Sequence, residues 1–378
     1  MKVIIIGSAY PLRGGGISTF NERMAKAFGE AGHEVKIYNF SLQYPSFLFP
    51  GKTQYSEEEP PEGLEIITTI NSVNPLNWFS VGRKIRKEKA DLAIIRYWIP
   101  FMAPCLGTIA RKLKKNRKTK VIAITDNVIP HERRPGDKVL TKYFLKPVDG
   151  FLVMSDSVLK DLEMFDRDKP RKLSLHPLYD NFGTPVGKKE AREKLGLDPE
   201  GKYLLFFGLI RDYKGLDLLL KALADDRLKN AGVKLVVAGE FYDDQEKYTR
   251  LAEELDVTDR VKMDNEFIPN SDVYLYFCAS DIVVQPYKSA TQSGVTQVAY
   301  HFNKPMIVTG VGALPQMVPD GKVGYVTDVD PEKIAGAVSK FYEEDKEEEF
   351  IANVKEEKKK YSWGKFVGAI EKLFGEIS

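Results

Sequence analysis

Tyr203-Leu204-Leu205-Phe206-Phe207-Gly208-Leu209-Ile210-Arg211-Asp212-Tyr213-Lys214-Gly215 decides how this chain is built. Its five opening residues have no polar face. That is the pattern of a parallel strand covered by helices on both sides. A glycine-framed turn follows, and Leu216–Leu223 reads as a helix. Further strands are predicted at Lys234–Ala238, Val261–Met263, Ile282–Gln285 and Met306–Val308. Upstream, Leu175–Lys202 carries His176-Pro177, Gly183, Pro185 and Gly187 and reads as a domain boundary. Before it, apolar runs at Lys2–Ile6, Glu34–Tyr38, Leu64–Ile67, Leu92–Ile95, Lys120–Ile124 and Gly150–Met154 alternate with helical stretches. One of these helices, Ser18–Ala31, is closed by Gly32 as a C-cap. The expected fold class is α/β, with two Rossmann-like doubly wound parallel-sheet domains over residues 1–180 and 181–361. A chain of 378 residues is too long for one ordinary core.

Composition narrows the setting. Net charge is only +2, but residues 1–185 sum to +9 and the remainder to −7, so an anionic substrate or surface suits the first half. Cys105 and Cys278 lie in apolar stretches without metal-ligand spacing. They read as buried thiols of a cytoplasmic protein. Met1–Gly7 is too short for a signal peptide and reads as a first strand, and no run reaches the length of a membrane span.

Four stretches carry chemistry. In Pro11-Leu12-Arg13-Gly14-Gly15-Gly16-Ile17-Ser18, three glycines lead into a helix start, where the backbone approaches a phosphate or a sugar hydroxyl closely. An ordinary glycine-rich turn capped by Ser18 or Thr19 fits as well. The dinucleotide fingerprint does not fit, because the glycines are consecutive. In the turn Gly208–Gly215, Arg211 and Lys214 stand at the carboxyl end of a strand, where open α/β sheets bind ligands. A guanidinium beside an ammonium suits a departing diphosphate. In Gln285–Thr296, Ser293-Gly294-Val295 offer backbone N–H groups at a helix start, and Gln292 and Gln297 suit neutral hydroxyls. In Asp126–Arg134, Asp126 and His131 follow a strand and read as substrate contacts, although a lone histidine is more often structural. No cluster has metal-ligand spacing, so a metal-independent mechanism and no cofactor are expected.

Together these stretches resemble the retaining glycosyltransferases of family 4, which have the GT-B fold. The resemblance extends over most of the chain through Gly14–Ser18, Gly32-His33-Glu34-Val35, Val153–Ser157, Phe206-Phe207-Gly208 with Lys214-Gly215, Val236–Glu240 and Lys304–Thr309. It implies two domains facing a central cleft, with the acceptor on the first and a nucleotide-diphosphate sugar on the second. Helix 362–378 would cross back to the first domain. It also implies that Arg211 and Lys214 neutralise the diphosphate. Gly15, Gly16, Gly208, Glu240, Ser293, Gly294 and Val295 would line the donor site, and Phe267 and Ile268 would lie by the base. The implied reaction moves a hexose-type sugar, with retention and without metal, to a glycan or lipid-linked acceptor.

Two departures stand out. The family's pair of glutamates ahead of the Lys-Pro strand is absent, since no glutamate lies between Gln285 and Lys304; Gln292 and Gln297 are the expected substitutes. The family arginine usually follows the first glycine directly, whereas Leu209 does here and Arg211 stands two residues later. A sugar-nucleotide epimerase of the same fold and an inactive nucleotide-sugar-binding scaffold are the alternatives; donor hydrolysis or transfer by the purified protein separates an enzyme from a scaffold, and product analysis separates transfer from epimerisation. A Rossmann dehydrogenase lacks its motif. Arg83–Lys87 and Arg111–Lys118, interleaved with Trp78, Phe79, Trp98 and Phe101, also suggest peripheral contact with an anionic membrane on its inner face, although solvated helix faces explain them equally. Nucleic acid is not expected, because the C-terminal half is acidic and no binding module is present.

Overall fold

The computed structural model describes the whole chain except residues 15, 47, 48, 50–52, 131–133 and 292. Two compact units emerge, one of Met1–Pro177 with Tyr361–Ser378, the other of Leu178–Lys360.

The first unit is built on seven strands: β1 (Lys2–Ile6), β2 (Glu34–Leu42), β3 (Glu65–Asn71), β4 (Leu92–Tyr97), β5 (Lys120–Thr125), β6 (Gly150–Val153) and β7 (Arg171–Leu173). Their order is β3-β2-β1-β4-β5-β6-β7, all parallel. β1, β4 and β5 are buried almost throughout, which explains their unbroken apolar sequences. Helix Ile17–Glu30 ends one residue before the expected Ala31, and Gly32 takes the positive φ of +82° that closes it. Helix Trp363–Ile377, capped by Ser362, returns to this unit. Its Trp363 and Phe366 rings lie 5.0 and 5.4 Å from Phe20, and Glu371 reaches His33 at 2.8 Å.

The second unit has six parallel strands: β8 (Lys202–Phe207), β9 (Val233–Ala238), β10 (Val261–Asp264), β11 (Ile282–Gln285), β12 (Met306–Thr309) and β13 (Gly324–Thr327). They run in the order β10-β9-β8-β11-β12-β13. Each sheet therefore reverses its strand order once, between β1 and β4 and between β8 and β11, and ligands of open α/β sheets bind beyond the carboxyl ends of strands at such points. β7 and β13 were not among the predicted strands, and β3 runs further than the expected Leu64–Ile67. Both cysteines are buried and free. Among the described residues, no helix is long and apolar enough to cross a membrane.

Candidate active site

At the reversal in the second unit, the turn after β8 is pinned by backbone. Gly208 has φ +98°, and its N–H donates to the Ala238 carbonyl at 2.9 Å. A Cβ on Gly239 would stand 2.3 Å from the Gly208 carbonyl oxygen, so these two strand ends approach as closely as glycine permits. Ile210, fully buried, then bridges Phe241; its N–H donates to the Glu240 carbonyl and its carbonyl accepts from Tyr242. This anchor projects Arg211 and Lys214 from a short 3₁₀ turn, Asp212–Lys214.

The two cations differ in surroundings. The Arg211 guanidinium lies 5.1 Å from the Tyr242 ring centre. Lys214 is buried, 8% exposed, with its ammonium 5.8 Å from the Tyr287 ring centre. Burial, and next the charge of Arg211, push the Lys214 pKa down to about 7. Among the described residues no carboxylate forms an ion pair with either cation. The one acid within the turn, Asp212, is engaged elsewhere: its oxygens meet Lys247 at 2.7 Å and Lys288 at 3.1 Å, which lowers its pKa.

The turn after β11 closes over this pair. A Cβ on Gly215 would lie 2.0 Å from the Pro286 carbonyl oxygen, and the Lys288 N–H donates to the Tyr213 carbonyl. Helix Gly294–His301 starts beside it, and the Val295 side chain lies 3.6 Å from where a Gly208 Cβ would be, with the Lys214 ammonium 3.1 Å from the same point. Ser293 is the N-cap residue but does not cap, since its hydroxyl donates to Gln285 Oε1 at 2.6 Å. Thr296 Oγ1 donates to the same oxygen at 3.2 Å. Below the helix start, Gln297 is fully buried with neither amide atom hydrogen-bonded, and Gln285 Nε2 is likewise unmatched. Arg211, Lys214, Gly208, Ser293, Gly294, Val295 and Gln297 thus come together at one reversal point. Glu240 lies next to Gly239 on the same side, buried. Phe267 and Ile268 follow β10 at the sheet edge, half-buried. Gln292 lies outside the described residues.

The first unit's reversal point is organised around backbone. Asn39 donates to the Ala9 and Tyr10 carbonyls at 2.7 and 2.8 Å and accepts from the Ala9 N–H, holding the long loop after β1. Gly16, with φ +57°, opens helix Ile17–Glu30 in the place expected of Ser18 or Thr19; Gly15 lies outside the described residues. Asp126, expected as a catalytic contact, is bound by both oxygens to Arg96, at 2.6 Å from Nε and 2.8 Å from Nη2. Arg96 in turn lies 3.9 Å over the Phe20 ring. The carboxylate is thus held in a buried ion pair at the carboxyl end of β5. His131 lies outside the described residues.

Three contributors escaped the sequence reading: Ile210, Gln285 and Tyr287. Ile210 looked like another apolar residue, and Gln285 and Tyr287 gain meaning only from partners across the turn.

Comparison with known proteins fits this arrangement. Residues 14–176 match the model described as Glycosyltransferase Family 4, and residues 187–360 match Glycosyl transferases group 1. The D-inositol 3-phosphate glycosyltransferase of Mycobacterium marinum is 32% identical over 200 residues, covering 50% of this chain and 41% of that protein. The chain thus matches less than half the length of that relative. The Thermobifida fusca protein of the same name is 25% identical over 348 residues, 83% of this chain and 77% of its own. Among solved structures, sucrose-phosphate synthase from Thermosynechococcus elongatus superposes with a TM-score of 0.75 at 16% identity, covering 100% of this chain and 99% of that one. Anabaena HepE in complex with UDP gives 0.74 at 14% identity and 100% of both chains. With each unit matched by a glycosyltransferase family model and the architecture that of GT-B proteins, the chain belongs to the family 4 glycosyltransferases.

Proposed function

We propose that this protein transfers a hexose-type sugar from a nucleotide-diphosphate donor to a glycan or lipid-linked acceptor, with retention at the anomeric carbon and without a metal ion. One observation carries the reading: a buried lysine and a neighbouring arginine, unmatched by carboxylate, stand beside an uncapped helix start at a sheet reversal point. Such a site favours two negative charges close together, as in a diphosphate, and the helix N-terminus adds backbone donors. The neighbour bound to UDP supports a nucleotide donor, and the inositol-phosphate relatives support a polyhydroxylated acceptor.

In the reaction, the bond between the anomeric carbon and the diphosphate oxygen lengthens. Charge builds on the leaving oxygen, where Lys214 and Arg211 stabilise it more than in the ground state. The acceptor hydroxyl attacks on the same face and passes its proton to the departing phosphate. Gln297 and Gln285 offer amide groups to neutral hydroxyls of the donor, in place of carboxylates. The two cations supply charge that a divalent ion supplies elsewhere, so EDTA should leave turnover unchanged.

The decisive experiment incubates the purified protein with UDP-, GDP- and ADP-sugars and candidate acceptors, then assigns the product anomer by NMR. Arg211→Ala and Lys214→Ala should each lower kcat by roughly 10²–10³. An epimerised donor, an inverted product, or near-normal turnover of both variants would overturn the reading.

A further inference from the structure

In the first unit, helices Pro75–Lys87, Ala103–Leu113 and Asp137–Leu145 pack side by side on one face of the sheet. The first two are tightly joined: a Cβ on Gly82 would lie 2.6 Å from the Lys112 Cβ. The seams between helices are cationic and aromatic together. Lys112 Nζ stands 4.4 Å from the Phe79 ring centre, and the Arg111 guanidinium stands 3.7 Å from Tyr143.

The outward side of this layer has an unusual composition. Residues 75–87 and 103–118 contain ten lysines and arginines and no acidic residue. Lys114 and Lys118 reach Asp149 and Asp91, but Arg83, Lys87, Lys112 and Lys115 meet no carboxylate among the described residues. The cations crowd one another: after burial, the charges of Lys115, Arg83 and Arg86 lower the Lys112 pKa. Against this charge stand bare apolar groups. Leu76 is 80% exposed and Val139 71%, with Val73, Phe79 and Tyr143 also exposed. Four of the eleven large apolar side chains exposed among the described residues thus lie on these helices, and Val73 just precedes the first of them. Trp78, Trp98 and Phe101, which the sequence had placed with this surface, instead pack against the core: Trp78 donates to the Asn71 carbonyl, Trp98 donates to the Tyr44 hydroxyl, and Phe101 stacks on Tyr44.

We propose that this three-helix layer seats the protein on an anionic lipid bilayer, with Leu76, Phe79 and Val139 entering the headgroup region and Arg83, Lys87 and Lys112 facing the lipid phosphates. A polyanion alone explains the cations but leaves the protruding aliphatic groups in water. A bilayer surface takes both, and lipid phosphate is complementary to the acid-free cationic segments 75–87 and 103–118. The proposal is independent of the donor-site reading, because it is tested without any sugar nucleotide.

The full chain is floated with vesicles of phosphatidylcholine alone and of phosphatidylcholine with phosphatidylglycerol. Partition should be more than tenfold greater onto the anionic vesicles and should weaken in high salt. Each cation near the surface is worth about fivefold in binding, so Arg83→Glu with Lys87→Glu should cost more than tenfold. Leu76→Ser with Val139→Ser should cost severalfold. Both pairs lie on the exposed surface, and unchanged melting curves confirm that the variants are folded. Equal partition onto both vesicle types, or no partition, would overturn the proposal. So would wild-type binding by the Leu76/Val139 variant, or full competition by duplex DNA, either of which would mark a general polyanion surface.

Discussion

Lys214 is a cation held where water cannot solvate it, and Arg211 beside it adds repulsion, so its pKa falls from 10.5 to about 7. In the unfolded chain the same group stays protonated well above that. The folded protein therefore binds fewer protons between about pH 7 and the normal lysine range, and this group's contribution makes stability rise with pH across that window. Binding of a diphosphate reverses the environment: the anion raises the Lys214 pKa and the complex takes up a proton. Nucleoside diphosphate affinity should therefore fall from about pH 7 to about pH 9 as free Lys214 loses its charge, by up to tenfold per unit. Calorimetry in buffers of different ionisation enthalpy should show proton uptake over the same range. In Lys214→Arg the site stays charged, and this part of the pH dependence should vanish. A wild-type affinity that is flat across the range would mean that Lys214 does not meet the ligand.

On the proposed donor-site reading, helix Gly294–His301 and the two turns that flank it trade stability for recognition. Gln297 is buried with both amide ends unmatched, a burial that costs about 1–3 kcal/mol for groups of this kind. Gln297→Leu keeps the volume and removes the polar ends, so urea unfolding should show the variant more stable by about 1–2 kcal/mol. Its nucleotide-sugar affinity should drop, because the hydroxyl partner is gone. Loss of stability instead would mean that the amide has a structural partner. The turns behave oppositely. Gly215 has φ +72° and faces the Pro286 carbonyl oxygen, so Gly215→Ala sets a strained backbone against a backbone atom that cannot swing aside. It should destabilise the protein by about 2 kcal/mol or more and weaken nucleotide binding with it, as read by the same unfolding curves and by thermal shift.

At the scale of the molecule, two doubly wound sheets were legible because β1, β4, β5, β8 and β9 are apolar on both faces, a pattern fixed by burial alone. β7 and β13 were not, since three residues reading Arg-Lys-Leu at a sheet edge and four reading Gly-Tyr-Val-Thr carry too little periodicity. The turn 208–215 was legible as a candidate site because charge and glycine coincide at strand ends. The ion pair of Asp126 was not legible, because its partner Arg96 lies on a neighbouring strand, 30 residues away. The C-terminal helix offers a test of how the units are stabilised. Its Trp363, Phe366, Ile370 and Leu373 are buried in the first unit, around Phe20 and against Gly150. Each such side chain contributes about 1.5–3 kcal/mol, so the four together approach the whole stability of a domain. A chain ending at Lys360 should therefore lose the first unit and keep the second, whose core draws only on its own residues. Limited proteolysis should digest residues 1–177 and spare a fragment beginning near Leu178, and that fragment should still be stabilised by the nucleotide that stabilises the full chain. Digestion of both units together would show that the second depends on the first, and survival of both would show that the helix is dispensable to the core it covers.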